Sequence, residues 1–238
     1  MLPGHFSKRT ARPHRAGPGV AAALIALIVA SACSGGGVAD ESTPTSAPCQ
    51  PVATTPGAPA RTFVPVDGSG DRNVGLPPNL SLPVIVHAHR DGSGSFVVRG
   101  VDAAGKDTQV LATALGAYDG TFAVGFVDAC AIPTVGLHVE STGRWHLDIA
   151  DARLAPAYQS VTGIAGKGDS VLSYVGNAKK TRLVFTAAHG RFDVTTYGAD
   201  GPKLLARSNG AYHGTVLLPR GPIFIAVTAN GAWTMGPA

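Results

Sequence analysis

"GAYDGT" at residues 116–121 and "GAYHGT" at residues 210–215 are almost one hexapeptide written twice in a chain of 238 residues. The sequence on either side repeats in the same order. Residues 67–92, "DGSGDRNVGLPPNLSLPVIVHAHRDG", align without a gap on residues 165–190, "AGKGDSVLSYVGNAKKTRLVFTAAHG". "FVVRGVDAAG" from Phe96 then matches "FDVTTYGADG" from Phe192, and "GLHVESTGRWHLDI" matches "PIFIAVTANGAWTMGP". The first copy carries extra residues around "FVDACAIPT", Cys130 among them. Similarity kept in one order over roughly 80 residues predicts a duplicated structural unit.

Each copy reads as β. Runs of four to seven residues rich in Val, Ile, Thr, Phe and Tyr alternate with Gly, Asp-Gly and Pro. In the first copy the strands are predicted over residues 83–89, 95–101, 121–127, 136–140 and 144–149. Asp91-Gly92 and Asp200-Gly201 read as hairpin turns, as do the Gly143 and Gly231 turns before Trp145 and Trp233. Only the N-terminal segment reads as helical. The expected fold is all-β: two tandem antiparallel sandwiches or open barrels. The expected layout is residues 63–150 for the first, a connector over 151–160, and 161–238 for the second. In that frame Tyr118, Tyr212, Trp145 and Trp233 are core and corner aromatics rather than a sugar-stacking platform. Gly116 and Gly120 are expected to supply backbone angles that a Cβ resists, and each tyrosine hydroxyl to find a backbone partner.

The N-terminus has a different character. Lys8, Arg9, Arg12 and Arg15 precede an apolar run over residues 20–32. As a helix that run spans about 20 Å, short of a ~30 Å hydrocarbon core, and reads as the h-region of a signal peptide over residues 1–32. "ASAC" then places small residues before Cys33, with Ala30 where an aliphatic residue is commoner. The stretch resembles the lipobox of bacterial lipoproteins. The resemblance implies cleavage before Cys33, covalent lipid such as palmitate on that residue, and attachment to the outer face of a cell membrane. The competing readings are a secretory peptide cut after Ala32, leaving Cys33 a free thiol, and an uncleaved anchor. Residues 33–62 hold five prolines, three consecutive glycines and no aromatic, the composition of a flexible tether.

Charge implies no partner. The chain has 19 Lys+Arg and 15 Asp+Glu, but four of the basic residues and none of the acids lie in residues 1–32. The remainder is neutral, so nucleic acid is not an implied partner. Apart from Cys33 the cysteines are Cys49 and Cys130, which in an oxidising compartment are a candidate disulfide; the alternative is two independent thiols.

The whole duplicated region resembles small all-β repeats of secreted bacterial proteins, which share an F-x-V strand, G-x-Y-x-G and a closing V-x-A-x-G-x-W strand. "VTANGAW" and "VESTGRW" carry that last element here. The resemblance implies a binding or accessory module with no particular activity.

Candidate chemistry is sparse. "GIAGKGDS" at residues 163–170 lacks the spacing of a phosphate loop and reads as a turn before a strand. No nucleophile elbow or carboxylate pair points to catalysis, so no catalytic residue is named. On the expected closing hairpin of copy one, period-two alternation places His138, Glu140, His146 and Asp148 together on the solvent face. Imidazole and carboxylate there suit a divalent metal. His87 and His89, aligned on Phe185 and Ala187, are expected on a partly buried face as hydrogen-bonded core histidines. No cofactor is expected beyond the lipid on Cys33. The expected function is a lipid-anchored, non-enzymatic envelope module that engages an envelope protein or glycan. The alternatives are a carrier of a hydrophobic small ligand and a metal-dependent activity on that hairpin.

Overall fold

The computed structural model describes residues 63–80, 82–126 and 133–238. The signal segment, Cys33, the tether, Cys49 and Cys130 lie outside the described residues, so the lipidation and disulfide expectations do too. The described chain is all-β, with one short 3-10 turn at Ala152–Leu154. Copy one supplies β1 (Val64–Ser69), β2 (Arg72–Gly75), β3 (Val84–Arg90), β4 (Ser95–Val101), β5 (Asp107–Leu115), β6 (Tyr118–Val124), β7 (Gly136–Ser141) and β8 (Arg144–Asp151). Copy two supplies β9 (Ile164–Lys167), β10 (Ser170–Tyr174), β11 (Lys179–Phe185), β12 (Phe192–Gly198), β13 (Gly201–Ser208), β14 (Tyr212–Leu218), β15 (Ile223–Ala229) and β16 (Ala232–Pro237).

Each copy forms two four-stranded antiparallel sheets. In copy one their orders are β1-β8-β3-β6 and β2-β7-β4-β5; in copy two they are β9-β16-β11-β14 and β10-β15-β12-β13. Within a copy the first strand pairs with the last, the second with the seventh, the third with the sixth and the fourth with the fifth. This is one long hairpin rolled into two facing sheets, the jelly-roll order.

That order corrects several local expectations. Only β4–β5 and β12–β13 join consecutive strands of one sheet, so Asp200-Gly201 does turn a hairpin. Asp91-Gly92 and the turns at Gly143 and Gly231 instead carry the chain from one sheet to the other. A turn residue lets the chain reverse; it does not decide which strand lies next to which.

Alternation along the strands builds each core. Val86, Phe96, Val98, Leu137, Leu147 and Ile149 fill the first sandwich, and Leu183, Phe185, Phe192, Val194, Ile225 and Met235 fill the second. Each such side chain is worth about 1.5–3 kcal/mol relative to exposure. Trp145 and Trp233 are 3% and 2% exposed, which leaves neither ring free for stacking a sugar. Each lies over a glycine of the paired strand, Gly68 and Gly166, and donates its indole N–H to a turn carbonyl, Gly70 O at 3.0 Å and Gly168 O at 2.9 Å.

The repeated hexapeptide has a packing explanation. Tyr118 and Tyr212 point inward at the start of β6 and β14, against Phe96 and Phe192 at centroid distances of 5.2 and 5.7 Å. Each ring folds back over the glycine two residues on, where a Cβ would stand 2.9 Å from the Tyr118 hydroxyl and 2.4 Å from the Tyr212 hydroxyl. Gly116 has φ +105°, as expected, but Gly120 is required for space rather than angle. The Tyr118 hydroxyl also departs from expectation: it donates to the Asp169 carboxylate of copy two at 2.8 Å, not to backbone.

Strand pairing further corrects the alignment of the copies. Arg90 pairs with Tyr118, and Phe185 pairs with Tyr212. The counterpart of Phe185 is therefore Arg90, not His87. The chain takes a longer path from Gly75 to Val84 than from the matching point of β10 to Lys179, and the gapless alignment slips by three residues there. An odd slip reverses every side chain on a strand. His87 and His89 accordingly lie on the outer face, with side chains 40% and 45% exposed, and Arg90 enters the core.

The sandwiches meet through β6, whose neighbours in copy two are β10 and β15. Ile85, Ala150, Ala152 and Ala155 pack with Val171 and Phe224, and Phe126 contacts Tyr197 and Phe224 at 5.1 and 4.8 Å. The Thr121 N–H donates to Asp169 O at 2.8 Å across the same seam.

Candidate functional site

The expected metal quartet divides in two. β7 and β8 are consecutive but belong to opposite sheets, so His138 and Glu140 lie on one outer face of the sandwich and His146 and Asp148 on the other. The alternation that placed each pair on a solvent face holds. The assumption that β7 and β8 are neighbours in one sheet does not.

On the β2-β7-β4-β5 face, Asp107 joins His138 and Glu140, and their donor atoms lie within 4.8 Å of one another. A cation is already among them. Arg99, opposite His138 on β4, pairs with Glu140 through Nη1 and with Asp107 at 3.6 Å; His138 Nδ1 is 3.4 Å from Asp107. The single guanidinium already bridges the two carboxylates, so this group is a surface ion-pair network.

The β1-β8-β3-β6 face carries the other half. Strand pairing sets Asp67, His146, His89 and Asp119 in one row across four strands, with Asp148, His87 and Thr121 in the next. His146 is held on both sides: Nδ1 is 2.8 Å from Asp67 and Nε2 3.2 Å from Asp148. The hydrogen bond to Asp67 raises its pKa above the ordinary value, against the opposing effect of burial and with help from Asp148. An imidazolium so held ties β1 to β8. His87 and His89 share Asp119: His87 Nε2 is 3.7 Å from Oδ1, and His89 Nδ1 is 3.7 Å from Oδ2. Their remaining nitrogens face Thr121 Oγ1 at 3.3 Å and Asp91 at 3.3 Å.

The matching face of copy two is chemically different. Ala165, Thr234, Val184 and His213 replace the row of Asp67, His146, His89 and Asp119, and Gly236, Arg182 and Thr215 replace the next. Lys180 and Lys167 flank them, and among the described residues neither of these lysines nor Arg182 has a carboxylate within salt-bridge distance. Sequence reasoning missed Asp67, Asp91 and Asp119 as members of a histidine surface. The His-x-His alternation of residues 87–89 was the available signal, but only the nested pairing brings Asp119 beside it.

A cleft of about 300 Å³ lies in copy two beside Tyr158, Tyr174, Asn177 and Lys179. It opens to solvent between polar groups and does not favour the apolar-carrier reading. No protein-family model matches the chain, and no curated protein is significantly similar to it.

Proposed function

We propose that the protein is a lipid-anchored, extracytoplasmic, non-enzymatic binding module of the cell envelope. Cys33 carries the lipid, residues 33–62 form the tether, and the paired sandwiches present their sheet faces to an envelope protein or glycan. One observation carries the binding half of this reading. The two copies keep the same buried devices, Trp on Gly and Tyr on Gly, while the equivalent outer faces hold His and Asp in copy one and Lys and Arg in copy two. A duplication whose interior is kept and whose surfaces differ in charge suits recognition of two unlike surfaces. Broad open faces also suit macromolecular contact better than the water-excluded pocket in which charge development is stabilised. The anchor rests on the "ASAC" stretch at residues 30–33.

Two measurements test the two halves separately. Mass spectrometry of the native N-terminus is expected to show acylated Cys33; an unmodified thiol there refutes the anchor. Capture from envelope extract with the full chain is expected to weaken when His87 and Asp119, or Lys180 and Arg182, are replaced by alanine. Absence of any protein or glycan bound at micromolar concentration refutes the binding role.

A further inference from the structure

We infer that copy one carries a divalent transition-metal site on its outer β1-β8-β3-β6 face, built from His87, His89 and Asp119. The inference stands apart from the lipid anchor and from the split quartet. His87 and His89 lie two residues apart on β3 and project from one face, and Asp119 of β6 is the direct cross-strand partner of His89. Directly opposed residues place their Cβ atoms about 5 Å apart, within reach of a shared ion.

Three features separate this group from a chance cluster. First, each histidine already has a partner for one nitrogen, Thr121 for His87 Nδ1 and Asp91 for His89 Nε2. The other nitrogen of each is turned toward the same carboxylate. Such outer partners fix the tautomer and direct the free lone pair, as they do for metal-bound histidines. Second, both nitrogen–oxygen separations at Asp119 are 3.7 Å. That is beyond a hydrogen bond, yet two atoms each about 2.1 Å from one zinc span up to roughly 4.2 Å. Third, among the described residues no guanidinium or ammonium lies within salt-bridge distance of Asp91 or Asp119, unlike the Arg99 network on the opposite face. As they stand, His87, His89 and Asp119 do not bring one donor atom each within 4.8 Å of one another, and the imidazoles reach Asp119 through different oxygens; coordination therefore turns the carboxylate, which is 70% exposed, and draws both imidazoles toward one of its oxygens. His146 is not a ligand, since Asp67 and Asp148 occupy both its nitrogens.

Two imidazoles and a carboxylate suit zinc, copper or nickel and leave coordination positions for water. Asp67, Asp91 and Asp148 nearby add a negative field that draws a cation in. Copy two is an internal control, because Arg182, Val184 and His213 stand at the three ligand positions.

The test uses the full chain in detergent, without a histidine tag and stripped of metal by chelation. Zn²⁺ is titrated by calorimetry, and the histidine ring nitrogens are followed by NMR. The expected result is one ion per chain at micromolar concentration, with the His87 Nε2 and His89 Nδ1 resonances shifted. His87→Ala, His89→Ala and Asp119→Asn each weaken binding by about tenfold or more, whereas His138→Ala does not. Because all three side chains lie on the outer face and none fills the core, thermal midpoints without metal stay close to the wild-type value. No binding below about 1 mM, binding unaffected by these substitutions, or a shift of His138 rather than His87 and His89 overturns the site.

Discussion

At the scale of single residues, each sandwich depends on close approaches that only glycine allows. A Cβ on Gly68 would sit 2.0 Å from Trp145 Cζ2, and one on Gly166 2.3 Å from Trp233 Cζ2. Both rings are pinned by their indole hydrogen bonds, so they cannot slide away. Gly68→Ala and Gly166→Ala are therefore expected to destabilise by about 2–3 kcal/mol, as overpacking does. Gly75→Ala, with open space around its position, is expected to stay within about 0.5 kcal/mol of wild type. Denaturant unfolding of the three variants checks the contrast, and equal effects would refute it. Arg90 is the opposite kind of residue, a 1% exposed cation with no carboxylate within salt-bridge distance among the described residues. Its guanidinium instead gathers loop ends, donating to Gly94 O at 3.1 Å, Gly116 O at 2.5 Å, Ser93 O and Thr142 Oγ1. Copy two puts Phe185 there. Transplanting that solution as Arg90→Phe leaves several carbonyls without donors, and a loss of about 3 kcal/mol or more is expected in the same assay. A neutral outcome would mean that the loops hold themselves.

At the scale of elements, alternation was legible and adjacency was not. Ser95–Val101 was placed at its true limits from the sequence, and the other predicted strands fell within about three residues, because an apolar face must repeat every second residue. Which strands pair is set by closing the rolled hairpin, a long-range property with no local mark. That is why His138 and His146, eight residues apart, end on opposite faces, while Asp67 and His146 end in contact. A slip of three residues before β3 likewise hid Arg90, since a buried arginine satisfied by carbonyls has the sequence appearance of a strand end. The β1–β8 pairing also carries a pH dependence. The His146 pKa is raised in the folded chain, chiefly by Asp67. Its stabilising contribution is thus fully present below the unfolded value of about 6.5 and is lost as pH rises through the higher folded value. The difference in thermal midpoint between wild type and His146→Gln is expected to be larger at pH 6 than at pH 8.5. His87 and His89 are common to both proteins and cancel. A difference that does not change with pH would refute the ion-paired state.

At the scale of the whole molecule, Asp169 takes two hydrogen bonds from copy one within an apolar seam, from the Tyr118 hydroxyl to its carboxylate and from the Thr121 N–H to its backbone carbonyl. Asp169 and its copy-one counterpart Asp71 do the same job within their own sandwich, accepting the N–H of Ala229 at 2.8 Å and of Ser141 at 2.9 Å. Asp169 alone also accepts the Tyr118 hydroxyl from the other copy. Tyr118→Phe consequently removes the side-chain link between copies and leaves the local bond to Ala229 and the Thr121 backbone bond in place. Burial raises the Asp169 pKa, and the Tyr118 hydrogen bond pulls it back down. Losing the hydroxyl therefore raises the folded pKa further. A carboxyl with a raised folded pKa keeps its stability below the unfolded value of about 3.9 and loses it as pH rises through the folded value. The variant's deficit must then be smaller at pH 4, where the raised pKa of Asp169 favours its neutral form in both proteins, and grow toward pH 7. There it is expected to reach about 1–3 kcal/mol, the cost of a buried carboxylate short of a donor. Denaturant unfolding at the two pH values measures it. A deficit that is constant, or larger at pH 4, would mean that the Tyr118 hydroxyl does not bond the ionised carboxylate and that the Thr121–Asp169 backbone bond and the apolar contacts of Phe126 and Phe224 hold the copies together without it.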